Sequence, residues 1–238
     1  MLRTTFRSLA GHNYRLWALG AIVSNVGTWM QRTAQDWIVF TELTRNDATA
    51  VGFVMALQFG PSLFLLPLSG FAADRFDRRR ILLVSQSLQA VLALGLGILV
   101  VTGRVELWHV YTFAFLLGCV TAFDAVARQT FVAELVSDAN LSNAVALNST
   151  SYHVARMVGP AIAGLLIAGV GTGWIFIINA ASFGAVLWAL LALRLNELHR
   201  HERTAPKVGG FIDGFRYVRE RPELFAVLRC SSSSRPSA

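Results

Sequence analysis

Long uncharged apolar stretches alternate along this chain with short arginine-rich breaks. Residues 48–73 hold no Asp, Glu, Lys or Arg, and neither do 81–103, 107–123 or 157–193. The last stretch is long enough for two helices, with the turn Gly169-Val170-Gly171-Thr172-Gly173 between them. A helix needs about 20 apolar residues to cross a bilayer core, and a helix apolar on every side does not sit on the surface of a soluble domain. The pattern predicts an all-α membrane protein with six transmembrane helices, at roughly 16–40, 49–73, 81–101, 107–123, 142–170 and 174–193.

Composition agrees: 54% of the residues are hydrophobic and 15% charged, against about 25% charged in an ordinary soluble domain. The net charge of +7 could suggest a nucleic-acid partner, but the arginines gather in particular loops, so no nucleic acid is implied. Arg3, Arg7 and Arg15 precede the first span, and Arg75, Arg78, Arg79 and Arg80 follow the second. Arg128 follows the fourth, and Arg194, Arg200, Arg203 and Lys207 open a basic stretch after the sixth. The alternate loops offer Arg45, Arg104 and nothing further. This bias predicts a multi-pass protein of the plasma membrane with both termini in the cytoplasm. Trp108 and Trp174 then begin the fourth and sixth spans at the outer interface; packed core aromatics are the other reading. The first apolar run continues past Trp29 and Trp37 without a small-residue cleavage site, so it reads as a retained span rather than a signal peptide. Cys119 and Cys230 imply no disulfide framework.

A repeat is visible. Phe59-Gly60-Pro61 leads to Gly70, and 99 residues on Val158-Gly159-Pro160 leads to Gly169. The two stretches fall in spans of opposite direction, which predicts two inverted three-helix units; chance recurrence of Gly-Pro is the rival. Three segments are expected: a six-helix bundle over 1–194, a linker over 195–228, and an aberrant polar tail over 229–238. In the linker Phe211, Ile212, Phe215 and Val218 predict an amphipathic helix on the cytoplasmic membrane surface. The serine-rich tail reads as a premature end.

The sharpest local pattern is Gly70-Phe71-Ala72-Ala73-Asp74-Arg75-Phe76-Asp77-Arg78-Arg79-Arg80 at the end of the second span. It resembles the loop motif of the major facilitator superfamily through Gly70, Asp74, Arg75, Arg78 and Arg79, and departs from it at Asp77, where most members have glycine. Acidic residues are usual there in the branch of exporters related to the enterobactin exporter, the transmembrane secretion effector family. Further stretches resemble that branch: 28–37, Ala122-Phe123-Asp124-Ala125-Val126-Ala127-Arg128-Gln129, 143–148 and Arg156-Met157-Val158-Gly159-Pro160. Val126 stands where the branch usually has proline. The resemblance covers nearly all of 10–228. It implies the N-terminal six-helix half of a transporter, in which the loop motif latches two such halves together in the outward-open state.

Physical chemistry gives these residues roles. Gly70 lets another helix approach closely. Asp74 can accept from a helix N-terminus, and Arg75, Arg78 and Arg79 can bridge to carboxylates or lipid phosphates. Simple cytoplasmic anchoring by the arginines is the alternative. Polar residues inside a span face protein or water. Asn25, Gln31, Arg32, Gln35 and Asp36 in the first span, with Asn148, His153 and Arg156 in the fifth, are therefore candidates for a substrate or proton pathway. Arg32 and Asp36, one turn apart, can meet; Asp36 is either a proton-binding or substrate-contacting carboxylate or the counter-ion of Arg32. His153 and Arg156 share a face and could meet an anionic or hydrogen-bonding substrate, or knit helices together. Gly159, Pro160 and Gly164 resemble the antiporter motif of exporters, with Ala163 in place of a glycine. No nucleotide loop, nucleophile elbow or paired metal ligands occur, so neither an enzyme nor a cofactor or metal site is expected.

The function expected is transmembrane transport of small molecules: proton-coupled export of drugs, siderophores or other metabolites. The partners expected are the lipid bilayer, the substrate, a proton, and a missing C-terminal half or a second copy. The alternatives are a truncated or frameshifted product without transport, and a six-helix scaffold or regulatory subunit.

Overall fold

The computed structural model describes residues 7–199. The expected amphipathic helix and the polar tail lie outside the described residues. Six long helices follow one another: α1 (His12–Ile38), α2 (Ala48–Arg75), α3 (Arg78–Val101), α4 (Leu107–Leu135), α5 (Asp138–Val170) and α6 (Thr172–Ala192). A wider turn, Val39–Leu43, extends α1, and short turns at Arg7–Ala10 and Leu195–Glu197 flank the bundle. There is no strand among the described residues. Helices α2 to α6 are each long and apolar enough to cross a membrane. Helix α1 is 27 residues long but carries the most buried polar side chains.

Local chemistry sets several of the helix starts. Asp47 caps α2 by accepting from the Thr49 amide at 2.8 Å. Asp77 caps α3 by accepting from the Arg80 amide at 3.1 Å, so the residue that departs from the superfamily glycine has a local task. Glu106 and His109 cap α4 reciprocally. Gly171, at φ 88°, turns the chain between α5 and α6 with one residue.

One boundary differs from expectation. Helix α4 does not end with the apolar run at Phe123 but continues to Leu135. Val126, in place of a proline, leaves the hydrogen-bond ladder intact, and Asp124 and Arg128 neutralise each other within the helix. Arg128 is therefore a helix residue and not a loop arginine.

Helix α1 packs on α5 and α6, α4 packs on α2 and α3, and α3 packs on α6. Direct packing of α1 on α2, or of α4 on α5, is slight. Glycine permits two of the close approaches. A Cβ at Gly159 of α5 would lie 2.6 Å from the Trp29 Cβ of α1, and one at Gly118 of α4 would lie 2.7 Å from the Gln58 and Leu57 carbonyls of α2.

The interior has three layers. At one end Tyr14, Trp17, Leu82, Phe131, Val186 and Leu190 form an apolar cluster; at the other Met30, Ile38, Val54, Leu96, Val110, Ile175 and Phe176 form a second. Between them lie buried Ser24, Asn25, Gln86, Gln89, Asp124, Asn179 and Ser182. The outside is greasy, with Phe64 85%, Met157 79% and Leu165 77% exposed, as suits helices facing lipid.

Candidate functional site

A groove of about 720 Å³ opens at the level of the polar layer. Its walls are Asn25, Thr28, Trp29 and Arg32 of α1, Gln89 of α3, Thr121 to Val132 of α4 on their groove face, and Val145, Asn148, Ser149, Tyr152 and His153 of α5. That volume lies within the usual range for small-molecule sites.

A charged network forms one wall. Asp124 accepts from Ser85 Oγ at 2.9 Å and from Gln86 Nε2 at 2.6 Å. Arg128 donates to it through NH2 at 3.1 Å and Nε at 3.2 Å. Its NH1 reaches Asn25 Oδ1 at 3.4 Å, and the guanidinium lies 5.4 Å from the Trp17 ring centre. Two buried charges are held this way only when their remaining hydrogen-bonding capacity is met, and α1, α3 and α4 all contribute here. The other wall is aromatic and cationic. The Arg32 guanidinium lies 4.9 Å from the Trp29 ring centre and 4.7 Å from that of Phe59; Arg156 lies 5.3 Å from Trp29. Tyr152 packs edge-on to Trp29 at 5.8 Å.

Asn25, Arg32, Asn148 and His153, four of the residues expected on a pathway, line this groove. Gln31 and Gln35 do not. Gln31 accepts from Asn179 Nδ2 of α6 at 2.6 Å, and Gln35 donates to the Val110 carbonyl of α4 at 3.3 Å. They knit helices. Asp36 sits beyond the groove, with a buried Oδ1 that has no hydrogen-bond partner. It makes no ion pair with Arg32: the described ion pairs are Arg78–Glu134, Arg128–Asp124 and Arg194–Glu197. One helical turn of separation allows contact but does not compel it. Arg156 is exposed beside Trp29.

Asp124, Arg128, Gln89 and Tyr152 belong to the groove and were not among the candidates. The available signal was the opposite charges at Asp124 and Arg128, four apart, just beyond an apolar run.

The loop motif divides into two parts. Arg78 donates to Glu134 Oε1 at 2.8 Å, and Arg79 Nε donates to the Leu190 carbonyl at 2.8 Å. Both are thereby tied into this bundle. Asp74 and Arg75 are exposed; Arg75 lies 5.8 Å from the Phe71 ring centre, and neither forms a hydrogen bond or ion pair among the described residues. Among the described residues no atom lies within 4 Å of a Cβ placed at Gly70 or Gly164, so the close approach expected at Gly70 is not made there, and Gly164 differs in this from Gly159. Helix α5 runs on through Pro160 without a break. No group of three His, Cys, Asp or Glu side chains suited to a metal occurs among the described residues.

Helices of membrane-spanning length and composition thus surround a polar groove. The transmembrane secretion effector family matches residues 3–233, and the chain belongs to that family of major facilitator transporters. The multidrug efflux pump Tap of Mycolicibacterium fortuitum is 28% identical over 216 residues, covering 86% of this chain and 51% of Tap. The enterobactin exporter EntS of Shigella flexneri is 25% identical over 193 residues, covering 81% of this chain and 47% of EntS. The chain thus spans about half the length of the curated relatives it matches. Its fold is similar to the crystal structure of a bacterial homologue of the human lysosomal transporter Spinster, inward-facing and unoccupied, with TM-score 0.59 and 16% identity over 89% of this chain and 50% of that one.

Proposed function

We propose that this chain is the N-terminal six-helix half of a proton-coupled exporter of small amphipathic molecules such as drugs or siderophores. The observation that carries the reading is the polar groove on α1, α4 and α5, cut into helices otherwise apolar on their outer faces. The efflux and siderophore-export functions named for relatives of similar sequence support it.

In this reading all six helices cross the plasma membrane as two inverted three-helix repeats. The packing favours that symmetry: exchanging α1 with α4, α2 with α5 and α3 with α6 turns the α1–α5 contact into α4–α2 and the α1–α6 contact into α4–α3. The bundle over 1–194 does the transport, and 195–228 serves as a cytoplasmic linker. Both termini face the cytoplasm, together with Arg78, Arg79 and Arg80. A second six-helix unit, either further sequence or a second copy, supplies the other wall of the groove, and Gly70, Asp74 and Arg75 latch to it. Their lack of partners within the described bundle supports that role. Asp36 carries the coupled proton.

The test is dye accumulation in an efflux-deficient host expressing the chain, with the proton gradient intact or collapsed by a protonophore. Lower accumulation that the protonophore abolishes is expected. Accumulation equal to that of the empty vector across a panel of dyes and siderophores contradicts the proposal.

A further inference from the structure

The groove contains an arginine with no counter-ion. Arg32 is only 9% exposed, and its Nε, fully buried, has no hydrogen-bond partner. Among the described residues it forms no ion pair. The guanidinium lies over the rings of Trp29 of its own helix and Phe59 of α2, and Arg32 lines the groove. Arg156 reaches the same indole from α5. Two cations from different helices therefore meet at Trp29.

Other carboxylates do not relieve them. Asp124 is taken up by Arg128, Ser85 and Gln86. Asp36, one turn along α1, adds negative charge to the neighbourhood but lies beyond ion-pair distance of Arg32. Burying a cation without a partner is costly, and ring faces compensate it only in part. The Tyr152 phenol meets part of the guanidinium's hydrogen-bonding capacity, but Nε stays without a partner, and an arginine in that state is suited to a carboxylate, the group with which guanidinium makes its strongest hydrogen bonds.

We propose that Arg32, aided by Arg156, is an oxyanion site in this groove, and that the ligand it takes is a small organic anion whose apolar or aromatic body lies against Trp29 and Tyr152. This deepens the reading of the groove as a transport pathway and rests on it for the ligand's fate. The binding itself needs no transport to be observed.

The test uses the purified full chain in detergent micelles and three dansyl probes that differ in charge: dansylglycine, its neutral amide, and cationic dansylcadaverine. Binding is read as energy transfer from tryptophan. Dansylglycine is expected to bind about tenfold more tightly than the amide, as suits one charge-assisted pair, with the cation weakest. Arg32→Gln removes the preference for dansylglycine over the amide; Arg32→Lys keeps part of it. Arg156→Gln, at an exposed position, lowers dansylglycine affinity about threefold. It decides the matter, with the wild-type ranking, if Arg32→Gln does not elute as a folded species. Equal affinity for the three probes, preference for the cation, binding of none, or an anion preference unchanged in the variants overturns the site. Gradient-dependent efflux without anion preference overturns the oxyanion site and spares the transport reading. Anion preference without efflux upholds the site and overturns the transport reading.

Discussion

Arg128 holds Asp124 from one helical turn away, NH2 to Oδ2 at 3.1 Å, while Ser85 and Gln86 of α3 hold the same carboxylate from the other side. The pair fixes α3 against α4 beneath the groove and carries the polar layer across three helices. Replacing Asp124 by Asn leaves Arg128 buried and uncompensated, at a cost of about 3 kcal/mol. Thermal unfolding in detergent should show a large fall for Asp124→Asn. The double variant Asp124→Asn/Arg128→Gln should recover part of it.

The two parts of the loop motif should separate experimentally. Arg78 is tied to Glu134 at 2.8 Å with both side chains partly exposed, so Arg78→Ala costs about 1 kcal/mol or less. The exchange Arg78→Glu/Glu134→Arg restores it. Asp74 has no partner in the described bundle, so Asp74→Asn should leave unfolding within about 0.5 kcal/mol of the parent. Gradient-dependent efflux should nonetheless fall severalfold. Loss of stability in Asp74→Asn would place the residue in the bundle's own architecture.

Helix packing offers a contrast between glycines on one helix. Gly159→Ala forces a Cβ against Trp29, and overpacking of this kind costs about 1–3 kcal/mol. Gly164→Ala meets nothing within 4 Å and should be neutral or stabilising by up to about 1 kcal/mol, as expected for alanine over glycine inside a helix. Melting curves of the two variants should move apart.

Asp36 tests the coupling ion. Asp36→Asn should abolish the effect of a protonophore on efflux while leaving substrate binding in the groove intact, because Asp36 lies outside its walls. Unchanged coupling would remove Asp36 from the proton path.

Much of the fold was legible because a bilayer imposes a coarse rule on the chain. The apolar runs at 49–73 and 81–101 lie within α2 and α3, whose bounds are Ala48–Arg75 and Arg78–Val101. The end of α4 was not legible from charge, since Asp124 and Arg128 cancel inside the helix instead of marking a loop. The site was legible in part. Polarity inside an apolar run pointed to Asn25, Arg32, Asn148 and His153, but polarity alone does not name the neighbour. Gln31 and Gln35 look the same in the sequence, yet face Asn179 and the Val110 carbonyl. Asp36 falls on Arg32's side of the helix by spacing, yet the two side chains do not pair.

Every proposal about the groove rests on helices that cross the bilayer in alternating directions. Arg78 begins α3, and Arg104 follows its end at Val101, so about 36 Å of helix at 1.5 Å per residue separates them. With Cys119 and Cys230 replaced by serine, single cysteines at 78 and 104 can be challenged with a membrane-impermeant maleimide in intact cells. Labelling is expected at 104 in intact cells and at 78 only after permeabilisation. Labelling of both positions from the same side would contradict the alternating directions.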